Sequence, residues 1–181
     1  MRNLISKNFI LLIISVILSA CGSTLHMHDK KECKQYTRVI INDFKDKASK
    51  KHNDPHVIAE GKRFADMIAR EMLKKNLFAQ VDRNVESDEP ALLIDGEIIK
   101  YQEGNAALRM IIGLGAGSST FKAKAHLKDN ETKKTIGNID LNQTSWVPGG
   151  VLAGVQDIQS HLQSAATGVA NKCSKFKQQD N

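Results

Sequence analysis

Apolar residues in this chain recur in blocks whose period switches between two and about three and a half, which separates strands from helices. Val39, Ile40 and Ile41 are β-branched and Phe44 follows, so Tyr36 to Phe44 reads as a strand. Lys45 to Pro55 is a charged loop. A helix follows from about Val57 to Asn76, where Phe64, Ile68 and Met72 recur at i+4 and Ala65, Ala69 and Leu73 line the adjacent row. Lys62, Asp66, Arg70 and Lys74 occupy its other side, a one-sided pattern that packs on a sheet. Leu77 to Asp82 reads as a short strand, and Glu86 to Pro90 as an acidic turn. In Ala91 to Tyr101, Leu92, Ile94, Gly96 and Ile98 alternate with Leu93, Asp95, Glu97 and Ile99. Phe121 to Lys128 alternates as well, and Asp129-Asn130-Glu131-Thr132 supplies turn chemistry before a returning strand, Thr135 to Leu141. Val155, Ile158, Leu162, Ala165, Ala166 and Val169 form the stripe of a last helix, about Leu152 to Cys173. The order strand, helix, several strands, helix predicts an α+β fold: a small, mostly antiparallel or mixed sheet with two helices packed on it.

One apolar block fits neither period. Phe9 to Leu18 is continuous apart from Ser15, with Arg2 and Lys7 before it and Leu18-Ser19-Ala20-Cys21 after it. That order is a secretory leader with its cysteine where a bacterial lipoprotein is acylated. The thiol is the nucleophile for a diacylglyceryl group, and small residues before it admit a peptidase. Two or more acyl chains, palmitate among them, suffice for stable anchoring. The alternatives are an ordinary cleaved leader or a membrane span, for which the run is short of the required ~20 residues. The predicted division is a leader (1–20), a lipidated tether (21–34), one α+β domain (35–175) and a polar tail (176–181). Among lipoproteins as a class, aspartate directly after the lipidated cysteine retains the protein at the inner membrane. Gly22 stands there instead, which points to the periplasmic face of the outer membrane.

Charge adds little. The formal net charge of +6 loses two units with Arg2 and Lys7, and the remaining charges are well mixed, as on a solvated surface. Export and the lack of an aromatic-basic patch argue against nucleic acid. Cysteine usage adds more. With Cys21 acylated, Cys33 and Cys173 remain, flanking the domain in an oxidising compartment. Domain termini often lie close together, so a Cys33–Cys173 disulfide is expected, against two thiols or pairing with another chain.

Three stretches invite a chemical reading. Gly113-Leu114-Gly115-Ala116-Gly117-Ser118-Ser119-Thr120 is glycine-rich, but Ser118 stands where a Walker loop needs lysine and where a dinucleotide fingerprint needs a third glycine. A tight bend between strands fits better, as does Leu108 to Ala116 as an exposed apolar flap. His26, His28, His52, His56, His126 and His161 show no zinc-site spacing, so no metal is expected. Asp95 and Glu97 share a strand face and could do acid–base work, but strict alternation favours a solvated face. No Gly-x-Ser-x-Gly elbow occurs. No cofactor and no enzyme activity are expected.

The run Ile94-Asp95-Gly96-Glu97-Ile98-Ile99-Lys100-Tyr101, then Gly104-Asn105, Arg109, Gly113 to Gly117, Lys128-Asp129, Thr132 and Ile136-Gly137, resembles the domain-of-unknown-function 4410 family of bacterial lipoproteins. Asp43-Phe44 and Leu77-Phe78-x-x-Val81 fit it too. The family has no established activity and no catalytic residues to carry over. Its helix–sheet order is similar to envelope lipoprotein domains of the peptidoglycan-synthase-activator and curli-secretion type, which are binding and assembly modules. The resemblance therefore implies a membrane-anchored, non-enzymatic periplasmic lipoprotein that binds or assembles with another envelope protein. The alternative is a small lipid- or glycan-binding lipoprotein with an apolar cavity between sheet and helix, lined by residues such as Phe121 and Leu162. Gly113, Gly115 and Gly117, with Arg109 beside them, mark the candidate partner surface. Arg109 either contacts a partner carboxylate or makes a structural ion pair. Nothing in the pattern sets the oligomeric state.

Overall fold

Val39, Ile40 and Ile41 lie in strand β2 (Arg38–Asp46) and are wholly buried, the environment in which β-branched side chains pack best. The computed structural model describes residues 22–27, 36–105, 107–108, 117–145 and 157–178. Besides β2 these form β1 (Gly22–Met27), helix α1 (Pro55–Lys74), β3 (Gln80–Arg83), β4 (Leu92–Gln102), β5 (Thr120–Asp129), β6 (Thr135–Thr144) and helix α2 (Ile158–Gln178). The strands make one six-stranded sheet in the order β1-β6-β5-β4-β2-β3. β2 runs parallel to β3 and β4, and the other pairs are antiparallel. The sheet is thus mixed, and α1 is the crossover that a parallel β2–β3 pair requires.

Both helices pack on one sheet face. Phe64, Ala65, Ile68 and Met72 of α1 and Leu162, Ala165, Ala166, Val169 and Ala170 of α2 are fully buried against it. The Phe64 ring meets Phe44 and Phe121 edge-on, at centroid distances of 4.8 and 4.9 Å. Leu73 departs from the expected stripe: it is 55% exposed, because its 100° step carries it past the buried edge of the helix. α1 lies so close to β2 that a Cβ on Gly61 would fall on the Phe44 carbonyl oxygen. The two helices are tied by Glu71, which accepts from Lys74 Nζ at 2.6 Å and Gln163 Nε2 at 3.0 Å. The opposite sheet face carries only a small apolar cluster, Ile40, Ala91 and Leu93.

Two boundaries differ from expectation. Gly22 to Met27 was expected to be part of the tether, but it forms β1 and pairs from Gly22↔Asn142 to Met27↔Gly137. Without β1, β6 would present an open edge of backbone donors and acceptors. Leu25 packs against the core and Ser23 faces Gly168 of α2, while Thr24 is exposed. Two apolar residues in six, Leu25 and Met27, give almost no period to read. The carboxy-terminal helix also runs past Cys173 to Gln178, into the expected polar tail. Lys177 explains this: its ammonium donates to Tyr36 O at 2.9 Å and Leu77 O at 2.6 Å, and lies 4.2 Å from the Phe78 ring centre. The expected start near Leu152 lies outside the described residues.

The charged loop after β2 is organised by Asp46, which is buried. Its carboxylate accepts from the backbone of Ala48, Ser49 and Asp54 at 2.8, 2.9 and 3.0 Å, and from the Ser49 hydroxyl. Burial raises its pKa, but these donors outweigh burial and hold it at about 2. A depressed carboxyl stabilises the fold above its unfolded value near 4 and ceases to do so as pH falls through 2. Urea midpoints should therefore drop between pH 4 and 2, and Asp46→Asn should flatten that drop while lowering the midpoint at pH 7.

Candidate partner-binding surface at one end of the sheet

Strand register gathers many chain segments at one end of the sheet. Gln102 of β4 pairs with Thr120 of β5, Thr120 pairs with Thr144 of β6, and Asn142 pairs with Gly22 of β1. The first turns of both helices arrive there as well. His56 of α1 lies 2.9 Å from Glu103, and His161 of α2 lies 3.0 Å from Ser119. Asn105, Gly117, Ser145 and Asp157, which flank residues 106–116 and 146–156 in sequence, lie at this same end.

Gly117 closes the base of the first segment. It adopts φ 67°, a conformation costly for any residue with a Cβ, and its carbonyl accepts from Asn105 N at 2.8 Å. Beneath it lies a buried polar clamp. Ser119 N donates to Ser145 Oγ at 2.8 Å, Ser145 N donates to Ser119 O at 3.0 Å, and the two hydroxyls are 3.1 Å apart. Ser119 Oγ is 3.0 Å from His161 Nε2, with Ser119 at 0% and His161 at 5% exposure. A serine beside an imidazole is the arrangement of an activated nucleophile. Here the hydroxyl is sealed from substrate, and the cluster instead locks α2 to the ends of β5 and β6.

The rim is charged and aromatic. Tyr101 stacks edge-on with His56 at 5.4 Å, and its hydroxyl donates to Glu103 at 3.4 Å. Burial, with Glu60 and Glu103 adding to it, pushes the phenol above its ordinary range, so it remains a hydrogen-bond donor at neutral pH. Glu60 is buried, with Arg63 3.7 Å from Oε1 and no hydrogen-bond partner on Oε2.

Of the residues singled out in the sequence, Gly117 is placed at this end. Arg109, Gly113 and Gly115 lie outside the described residues, as do Cys21 and Cys33. Leu108, the first residue of the expected flap, is 42% exposed. Cys173 is buried against the core, one turn before Lys177. Among the described residues no group of three or more His, Cys, Asp or Glu could hold a metal ion. No helix among them is long and apolar enough to cross a membrane. Asp95 is ion-paired with Lys128 at 2.6 Å on the solvent-facing side of the sheet. Phe121 and Leu162 are both fully buried in the apolar core between sheet and helices. An open groove of about 580 Å³ lies elsewhere, along β2 and lined by Lys45, His52, Ile58 and Val85 among others. Sequence reasoning passed over Ser119, Ser145 and Glu60. His161 carried a readable signal, a polar residue beside Ile158 and Leu162 on an otherwise apolar stripe.

The architecture defines a class: an open two-layer α+β domain, with two helices on one face of a six-stranded mixed sheet. Within that class the chain belongs to the family described as a domain of unknown function (DUF4410), which it matches over residues 23–149. No curated protein matches the chain in sequence. Among solved structures, a PelC dodecamer from Paraburkholderia phytofirmans superposes with a TM-score of 0.55 at 11% identity, covering 81% of this chain and 94% of that one. A point variant of the same protein gives 0.57 at 11% identity, covering 83% and 97%. A Xanthomonas campestris protein of family DUF330 gives 0.51 at 14% identity, covering 88% and 97%. At such identities the likeness is one of fold.

Proposed function

We propose that this protein is a lipid-anchored, non-enzymatic binding or assembly protein of the bacterial envelope. Cys21 would hold it at the periplasmic face of the outer membrane, and its partner would be an envelope protein or a further copy of itself. The observation that carries the reading is the sheet end. There the buried Ser119–Ser145–His161 clamp and the Asn105–Gly117 bond rigidify the base from which 106–116 and 146–156 emerge. Connections between elements that are carried on a rigid scaffold are where binding residues concentrate. The burial of Phe121 and Leu162 in one continuous apolar core gives the lipid- or glycan-binding alternative less support than the protein-binding one. The dodecameric state of PelC supports self-assembly as one form that partnership takes.

Crosslinking in native envelopes tests this. Gly115→Glu and Arg109→Glu should each remove crosslinks that the parent protein makes. Retention of every crosslink by both variants would move the surface elsewhere.

The Cys33–Cys173 disulfide belongs to the same reading. Lys177 binds the Tyr36 carbonyl one turn beyond Cys173, and the three residues from Tyr36 back to Cys33 reach at most about 10 Å. Non-reducing peptide mapping should recover the linked pair; alkylation of both thiols in the exported protein would exclude it.

A further inference from the structure

β1 changes what an anchor at Cys21 would do. A flexible tether would let the domain tumble above the bilayer. Instead Gly22, the residue directly after Cys21, is already in the sheet, paired with Asn142. The acylated residue is the covalent neighbour of Gly22, so its Cα is within about 3.8 Å of that of Gly22. The row continues across the sheet: Asn142 pairs with Lys122, and Lys122 with Lys100. Three strand spacings, about 15 Å, span it.

Lys100 and Lys122 are both exposed and directly opposite each other, and neither makes an ion pair with a described residue. Like charges facing across a strand pair are unfavourable. The neighbouring lysines of β5 are compensated: Lys124 lies 3.8 Å from Asp140, and Lys128 is paired with Asp95. Of the three lysines of β5, Lys122 alone has no ion pair with a described residue. A bulge in β4 between Ile98 and Lys100 adds Ile99, 47% exposed, beside them. Of the nearby acids, Glu103 is engaged by His56 and Tyr101, and Glu97 stands one row further in, directly opposite Lys124. A basic pair with an adjacent exposed aliphatic side chain is the chemistry that meets a headgroup layer.

We propose that the solvent-facing sheet face at this end lies on the membrane, with Lys100 and Lys122 contacting the phosphates of anionic lipid headgroups, which leaves the helix-side rim at His56 and Glu103 open to the protein partner. The proposal rests on the acylation of Cys21 inferred above. It makes the anchor a device that orients the domain as well as holding it.

The lipidated protein, purified from envelopes and reconstituted into vesicles of phosphatidylcholine alone or with added phosphatidylglycerol, tests this. Exposed lysines are acetylated with a water-soluble reagent and read by peptide mass. On phosphatidylglycerol vesicles, Lys100 and Lys122 should react about fivefold more slowly than exposed Lys133 in the β5–β6 turn at the opposite end, with the difference lost in high salt. Equal reactivity on both vesicle types, or equal protection on both, overturns the contact. The same digest reports the mass of the Cys21 peptide. An acylated peptide with unprotected lysines overturns the contact alone; an unacylated one overturns the anchor and the contact together.

Discussion

Phe64→Ala should lower the unfolding free energy by about 3–5 kcal/mol, a large part of what a domain of this size has. Phe64 has no exposure, and its ring is the middle member of the edge-on row Phe44–Phe64–Phe121. Phe44 belongs to β2 and Phe121 to β5, so the ring holds α1 against strands on both sides of β4. Truncation leaves a cavity between the Phe44 and Phe121 rings, which the surrounding core closes only in part. Urea titration at neutral pH reads the loss. Phe64→Leu, which refills much of the volume, should recover part of it. A Phe64→Ala midpoint within error of the parent would mean that α1 does not rest on this row.

Cys21→Ser should abolish acylation and move the protein out of the outer-membrane fraction. A serine hydroxyl stays protonated at neutral pH and is a far weaker nucleophile than a thiolate, so the diacylglyceryl transfer that depends on it fails. Intact mass should then show the leader still attached and no acyl chains. Membrane fractionation with intact mass measurement reads both effects. An acyl-free parent protein cut elsewhere in the leader would assign this segment to an ordinary secretory signal.

The fold was largely legible because its central elements have clean periods. The α1 stripe and the alternation of β4 and β5 are each set by burial on one face, and burial is what periodicity records. β1 escaped because an edge strand is held by backbone bonds to β6 and needs little side-chain pattern. The last turn of α2 escaped because Lys177 stabilises it by capturing carbonyls distant in sequence. The site was less legible. Gly117 announced a bend, and the structure shows why glycine stands there. Ser119, Ser145 and His161 are separated by 26 and 16 positions, and only the β5–β6 register and the return of α2 bring them together.

The central claim is that the gathered sheet end meets the envelope partner. A photoreactive amino acid at Glu103, on that rim, and another at Lys133, in the turn at the opposite end, test it in living cells. The account predicts protein adducts from position 103 and none from position 133. Adducts from 133 with none from 103 would contradict it.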